Sequence, residues 1–199
     1  MKILLYICCA PCSIMSIKKL REDNLEVTGF WYNPNIHPYM EYRARRDAFR
    51  NYSKSIDLPV IYKDEYGLDE FCKKVIDSLD DRCKICYADR LAVVAKYAKD
   101  NGYDAFSTTL LYSPYQKHDE LKKICERISK KYNIKFLYND FRPFYREGQE
   151  KARKLGFYMQ KYCGCIFSEE ERYLKKIEKD KKKFDNITIS VKNSLKQNI

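Results

Sequence analysis

Nothing in this chain could span a bilayer, and little could cradle a nucleotide phosphate. No apolar run approaches the roughly 20 residues that a membrane crossing needs. The start, Met1-Lys2-Ile3-Leu4-Leu5-Tyr6-Ile7, is too short for a signal peptide and runs into Cys8 without a small-residue cleavage site. It reads as a buried first strand, and the protein as cytoplasmic. Glycine is scarce, with 6 in 199 residues, and the turn after that strand holds none. No Pro/Gly/Ser-rich linker divides the chain and no repeat recurs. Only two histidines occur, His37 and His118. Acidic groups are outnumbered 28 to 39, giving a net charge of +11. That excess favours a polyanionic partner, nucleic acid first and a membrane surface second.

What is present in excess is cysteine, and it is grouped. Seven of the 9 cysteines fall in three tight clusters: Cys8-Cys9-Ala10-Pro11-Cys12, Cys83-Lys84-Ile85-Cys86 and Cys163-Gly164-Cys165. Thiols so spaced can converge on one metal or exchange electrons. In a cytoplasmic protein they argue for metal or redox chemistry over structural disulfides. Cys72 and Cys125 stand alone and read as ordinary core residues. The 18 tyrosines and 10 phenylalanines add surfaces on which single-stranded bases can stack.

Apolar runs alternate with amphipathic stretches. Strands are expected over 3–7, 26–32, 58–62, 105–110 and 134–138, and helices over 13–22, 39–56, 68–79, 83–99, 115–132, 143–155 and 168–179. This order implies an α/β fold with a mostly parallel sheet covered on both faces. Residues 1–179 read as a single domain and 180–199 as a frayed basic tail containing Lys181-Lys182-Lys183.

In such a sheet ligands gather beyond the carboxyl ends of the strands. Cys8, Cys9 and Cys12 sit there, on the turn into the first helix, where a nucleotide-binding relative would carry glycines. The positive end of that helix is expected to favour thiolates. Cys83-x-x-Cys86 opens another helix, so both sulfurs can face one side. The one-residue gap of Cys163-Gly164-Cys165 suits metal binding or a labile disulfide. Spacing alone leaves three readings: an iron–sulfur cluster, a four-cysteine zinc site, and a thiol relay without metal. Zinc sites usually carry knuckle glycines, which are missing here, and seven thiols exceed what one zinc needs. His37, after the second strand, is a candidate proton donor or a loop cap. His118 follows the fourth strand, where Ser107, Thr108 and Thr109 gather hydroxyls and Ser113 is a candidate cap for the next helix.

Several motifs together resemble a known family. They are Cys-Cys-Ala-Pro-Cys-Ser from Cys8, Tyr-Asn-Pro-Asn-Ile-His-Pro from Tyr32, and Arg82-Cys-x-x-Cys86. Ser107-Thr-Thr-Leu-Leu-Tyr-Ser-Pro-Tyr-Gln116, Asp140-Phe-Arg-Pro-Phe-Tyr-Arg-Glu-Gly148 and Lys161-Tyr-Cys-Gly-Cys165 complete the set. Over roughly residues 2–175 the chain resembles the QueH family, the cobalamin-independent epoxyqueuosine reductases. The resemblance implies a Rossmann-like sheet of the adenine nucleotide alpha-hydrolase kind. It implies the last step of queuosine synthesis, in which the epoxide of epoxyqueuosine at a tRNA wobble position loses its oxygen. By resemblance, Cys8, Cys9, Cys83 and Cys86 match ligands of a [4Fe-4S] cluster, and Cys163 and Cys165 a redox-active pair. Relatives hold a second, mononuclear iron, for which Cys12 is a candidate ligand, and the partition between the two sites stays open. tRNA is the implied partner, and the electron donor stays unnamed. Arg43, Arg45, Arg46 and Arg50, with Arg142, Arg146, Lys151 and Arg153, are candidates for phosphate contacts. Tyr112, Tyr115 and Phe144 are candidates for stacking on bases.

Two rival readings have distinct signatures. An ATP-dependent tRNA thiolase or ligase on the same fold needs a phosphate-cradling loop, and cysteine and proline occupy that slot here. A zinc-stabilised nucleic-acid-binding module would hold zinc with neither iron nor sulfide.

Overall fold

The computed structural model describes the backbone of residues 1–197 and the side chains of residues 1–184. It divides into two compact units, Met1–Gln160 and Lys161–Ile199.

The first unit is built on a five-stranded sheet in the order β3-β2-β1-β4-β5, with every neighbouring pair parallel. Its strands are β1 (Lys2–Ile7), β2 (Glu26–Trp31), β3 (Val60–Tyr62), β4 (Ala105–Thr108) and β5 (Lys135–Phe136). Its helices are α1 (Ala10–Glu22), α2 (Tyr39–Ser55), α3 (Leu68–Val75), α4 (Arg82–Asp100), α5 (His118–Tyr132) and α6 (Tyr145–Lys154). This is the parallel α/β sheet that the alternating pattern implies, in the Rossmann-like arrangement that the resemblance implies. β1 is central, and Ile3 to Ile7 are buried on both faces, as a continuous apolar run in a parallel sheet should be.

Several boundaries move, and the contacts give the reason at three of them. The fourth strand stops at Thr108, and Thr109–Tyr112 tightens into a 3-10 turn that Thr108 caps through its hydroxyl at 3.1 Å from the Leu110 N–H. The segment 105–110 does not betray that turn, because it is buried on both sides of the boundary. α3 gives way to a 3-10 segment, Ile76–Asp81, in which Ser78 leaves helical geometry. α5 begins at His118, and Ser113 caps only a local turn, accepting from the Tyr115 N–H at 3.3 Å.

α1 lies deep in the unit, with Ala10 to Ile17 all buried. α6 crosses it at Gly148, where a Cβ would fall 2.9 Å from Met15 Cγ and into the Tyr112 hydroxyl. A side chain there would force the two helices apart.

The second unit holds Cys163-Gly164-Cys165 and α7 (Ile166–Gln197). The sequence expectation of a frayed tail over 180–199 falls largely on residues whose side chains, or whose positions altogether, lie outside those described. Among the described residues no helix is long and apolar enough to cross a membrane.

Candidate metal centre

β1 ends at Ile7, and the next five residues carry three thiols into the first turn of α1. Cys9 is the N-cap, its sulfur accepting the Cys12 N–H at 3.4 Å, and Pro11 suits the first turn because no donor is needed there. The sulfurs of Cys8, Cys9 and Cys12 all lie within 4.8 Å of one another and are buried. Cys8 and Cys9 sulfurs are 3.8 Å apart. Two ligands on one tetrahedral ion with metal–sulfur bonds of ~2.3 Å stand about that far apart.

Neighbouring strands fix the trio. Thr109, in the turn after β4, accepts from the Cys8 backbone N–H at 3.1 Å and offers its hydroxyl to the Cys8 sulfur at 3.3 Å. The Tyr6 hydroxyl donates to Asn33 Oδ1, and Asn33 Nδ2 donates to the Ile7 carbonyl at 2.9 Å, which locks the loop after β2 to the end of β1. Arg90, buried on α4, donates to the Tyr6 hydroxyl at 2.7 Å and to the Cys86 carbonyl at 3.1 Å. It thereby ties the first turn of α4 to the same end of β1. Gln160, the last residue of this unit, donates its amide N–H groups to the sulfurs of Cys9 at 3.2 Å and Cys12 at 3.7 Å.

The thiols do not behave alike. Cys8 is held well below its ordinary pKa by hydrogen bonds from Cys12 and Cys9, against the cost of burial, with help from Thr109 and the Arg90 charge. Burial pushes Cys9 up, and the hydrogen bond to Cys8 pushes Cys12 up. The helix end that the sequence points to is not among these causes: neighbouring side chains lower Cys8, and Cys9 and Cys12 move the other way. Like charge and burial oppose the rest, and only a bound cation would bring all three to the ligating form.

Cys83 and Cys86 stand half-buried on the first turn of α4 and, among the described residues, do not join the 4.8 Å group. Cys86 still lies within electrostatic range of Tyr6, whose pKa is raised chiefly by burial and further by the charges of Cys8 and Cys86. Within the second unit Cys163 is exposed and Cys165 buried. There Ser168 accepts from the Gly164 N–H at 3.1 Å and donates to the Cys165 carbonyl at 2.7 Å. Cys125 is a core residue, as its isolation suggests, and Cys72 is half-buried on α3.

Comparison with known proteins bears on this geometry. The family model described as epoxyqueuosine reductase QueH matches residues 3–171. The chain belongs to this family. It is 40% identical over 172 residues to the epoxyqueuosine reductase QueH of Dehalococcoides mccartyi, covering 86% of this chain and 94% of that one. It is 36% identical to the protein of that name from Thermotoga maritima, covering 91% and 97%, and 32% identical to that from Staphylococcus epidermidis, covering 92% and 83%. As a member of the QueH family the chain is an oxidoreductase.

Other sequence candidates fare unevenly in this family member. His37 is fully buried, its Nε2 3.1 Å from the Pro34 carbonyl, and packs on Tyr66 and Phe71, so it organises its loop. His118 is buried with Nε2 3.1 Å from the Tyr138 hydroxyl. Arg45 was a candidate for phosphate, but it is 2% exposed and paired with Glu41 at 2.7 Å. Its charge instead favours ionised Cys9, and Glu41 also accepts from the Tyr158 hydroxyl. Arg46 pairs with Asp64 at 3.0 Å, Arg142 with Asp140 at 2.6 Å and Lys151 with Glu147 at 2.7 Å. Arg43, Arg146 and Arg153 are exposed.

The aromatic candidates separate too. Tyr112 is buried and donates to the Tyr145 carbonyl at 2.8 Å, and Phe144 lies under the Lys19 ammonium. Tyr115 is 83% exposed and stands edge-on to Tyr145, their centroids 5.9 Å apart. Burial raises Tyr112 and Tyr145, and the charge of Cys12 raises both further.

Sequence reasoning missed Arg90 and Gln160. Arg90 had a signal. It falls in the buried stripe Tyr87, Leu91, Val94 and Ala98 of α4, where a cation needs a partner. Gln160 had none, being one polar residue in a polar stretch.

Proposed function

We propose that this chain is an iron–sulfur epoxyqueuosine reductase acting in the cytoplasm on tRNA that carries epoxyqueuosine at the wobble position. The reaction removes the epoxide oxygen as water, leaves an alkene, and consumes two electrons and two protons. The observation that carries the reading is the buried trio Cys8, Cys9 and Cys12 at the carboxyl end of β1, within 4.8 Å of one another. An all-sulfur donor set suits iron or zinc. Cys8, Cys9, Cys83 and Cys86 would hold a [4Fe-4S] cluster and Cys12 a second iron, and the close grouping of the trio favours Cys12 sharing a metal-binding set with Cys8 and Cys9. When bound, such iron supplies single electrons and a Lewis acid for the departing oxygen.

The chain's own residues would do the rest. Arg90 and Arg45 offset negative charge collected on the thiolates. Tyr112 spends its hydroxyl proton on the Tyr145 carbonyl, whereas Tyr145, raised chiefly by burial, keeps its own and is the candidate donor to an alkoxide. Oxidising the Cys163 and Cys165 thiols to a disulfide yields two electrons and two protons, the quantity that one turnover consumes, and an external reductant restores them. A wobble nucleotide must leave its stack to reach a buried centre. Tyr115, exposed beside Tyr145, offers a ring for a flanking base, and Arg43, Arg146 and Arg153 offer charge for phosphates.

The test is anaerobic purification from iron-replete cells, with iron, zinc and sulfide analysis. Turnover of an epoxyqueuosine-containing anticodon stem-loop is then followed by mass spectrometry of its nucleosides. Brown protein that bleaches on reduction and forms queuosine is expected. A colourless chain holding one zinc, or loaded protein that leaves the epoxide intact, would overturn the proposal.

A further inference from the structure

We infer that Gln160 is a positioning residue that sets the reduction potential of metal held by Cys9 and Cys12, through N–H···S hydrogen bonds from its side-chain amide. The inference rests on the metal-binding reading above and concerns a residue outside the thiol set.

Three observations carry it. Nε2 of Gln160 reaches two sulfurs of the trio, Cys9 at 3.2 Å and Cys12 at 3.7 Å. The other end of the same amide, Oε1, is buried and has no hydrogen-bond partner among the described residues. Gln160 also lies at the end of the segment that follows α6, far along the chain from the cysteines it touches. A buried carbonyl oxygen without a donor is costly. A side chain there only to fill space would avoid that cost by being apolar. The amide is instead oriented by what it gives the sulfurs.

The orientation follows from charge. A metal-bound thiolate is acceptor only, so an amide oxygen turned toward it would meet lone pairs, while the N–H end is attracted. Hydrogen bonds to a charged acceptor are the stronger kind. Reduction adds negative charge that the ligating sulfurs share, so these bonds favour the reduced state, and hydrogen bonding to sulfur is one of the levers on such potentials. Removing them makes the centre harder to reduce.

The experiment compares iron-loaded full-length wild type, Gln160→Leu and Gln160→Glu in anaerobic dithionite titrations with mediators, followed by visible absorption. At the potential where wild type is half reduced, the reduced-to-oxidised ratio of Gln160→Leu should fall about tenfold, or about 59 mV for one electron. Gln160→Glu, which keeps the shape and puts an acceptor against the sulfurs, should fall further. A second readout is independent of both iron and turnover. In the chain loaded with cobalt(II), the sulfur-to-cobalt charge-transfer band should move to lower energy in both variants, because unbonded thiolate gives up an electron more easily. Should Gln160→Leu fail to fold, Gln160→Glu decides. Metal uptake with unchanged potential and unchanged band would overturn the role of Gln160 and leave the metal reading intact. A wild-type chain that takes up neither iron nor cobalt would overturn both.

Discussion

Two helices of the first unit begin with cysteine, and their surroundings differ. At the start of α1 the sulfurs are buried, one of them caps the helix, and Thr109 and Gln160 reach in from distant parts of the chain. At the start of α4 the sulfurs are half-buried. They follow a 3-10 segment with no buried residue, broken at Ser78, and the N-cap Asp81 makes no side-chain capping bond. Buried, cross-linked structure opens at a higher cost than an exposed turn. The first site is therefore pre-assembled, and Arg90 ties the second to the same end of β1. A metal site made from both would join a buried helix start to a half-buried one.

The largest effect should come from removing sulfur on either side. Cys9→Ser is expected to abolish metal uptake, because it removes a ligand, the N-cap and an acceptor of Gln160 together. Cys83→Ser combined with Cys86→Ser should lose sulfide and the broad visible absorption yet keep about one ion per chain on the trio, since three thiolates and an open position suffice for one ion. Iron and sulfide analysis reads both variants. If the double variant loses all metal, the trio is not a site by itself and the contrast between the helices fails.

This contrast was half legible in the sequence. The spacing of Cys8, Cys9 and Cys12 after an apolar strand, and of Cys83 and Cys86 at a helix start, located both groups, because a thiol cluster at the end of a parallel strand has few structural uses. The parallel sheet was legible from alternating periodicity, and β1 and β2 fall within a residue of their expected ends. What stayed hidden depends on contacts across the chain. Thr109 reads as strand until its turn toward Cys8 is seen. Arg45 reads as a surface cation on an arginine-rich helix until its pairing with Glu41 shows it facing inward. Gln160 acquires meaning only when residues 151 and 148 positions earlier come within reach.

The next effect tests the tie between the helices. Arg90→Met keeps volume but removes the bonds to Tyr6 and to the Cys86 carbonyl. Hydrogen bonds from a buried charged group are worth about 1.5–3 kcal/mol each, so a loss of about 3 kcal/mol is expected in urea unfolding of the metal-free chain. Metal uptake by the α4 thiols should weaken more than uptake by the trio. Equal weakening at both would mean that Arg90 does not distinguish them.

A smaller change should act on the first site alone. Thr109→Val preserves shape and deletes the hydroxyl that serves the Cys8 N–H and sulfur. Leaving that buried N–H without an acceptor should cost about 1–2 kcal/mol. Properties of Cys83 and Cys86, such as their rates of alkylation, should not move. If they do, the two helix starts are coupled through the end of β4 as well as through Arg90.

The smallest effect is a slope with pH, and its sign differs among the three thiols. Cys8 has a depressed pKa in the folded chain, so its contribution to stability is complete above the unfolded value of 9.0 and fades as pH falls toward the folded value. Cys9 and Cys12 are raised, so theirs is complete below 9.0 and is lost as pH climbs above it. The stability of metal-free, reduced wild type over Cys8→Ser should therefore grow as pH rises toward 9, while the difference over Cys12→Ser should shrink above 9. Cys83→Ser, on the half-buried start of α4, is the reference for these slopes. Urea midpoints across that range, taken with chelator and reductant present, would settle the signs. Parallel slopes for Cys8→Ser and Cys83→Ser would show that the buried trio titrates no differently from the half-buried pair, and the contrast between the two helix starts would then rest on packing alone.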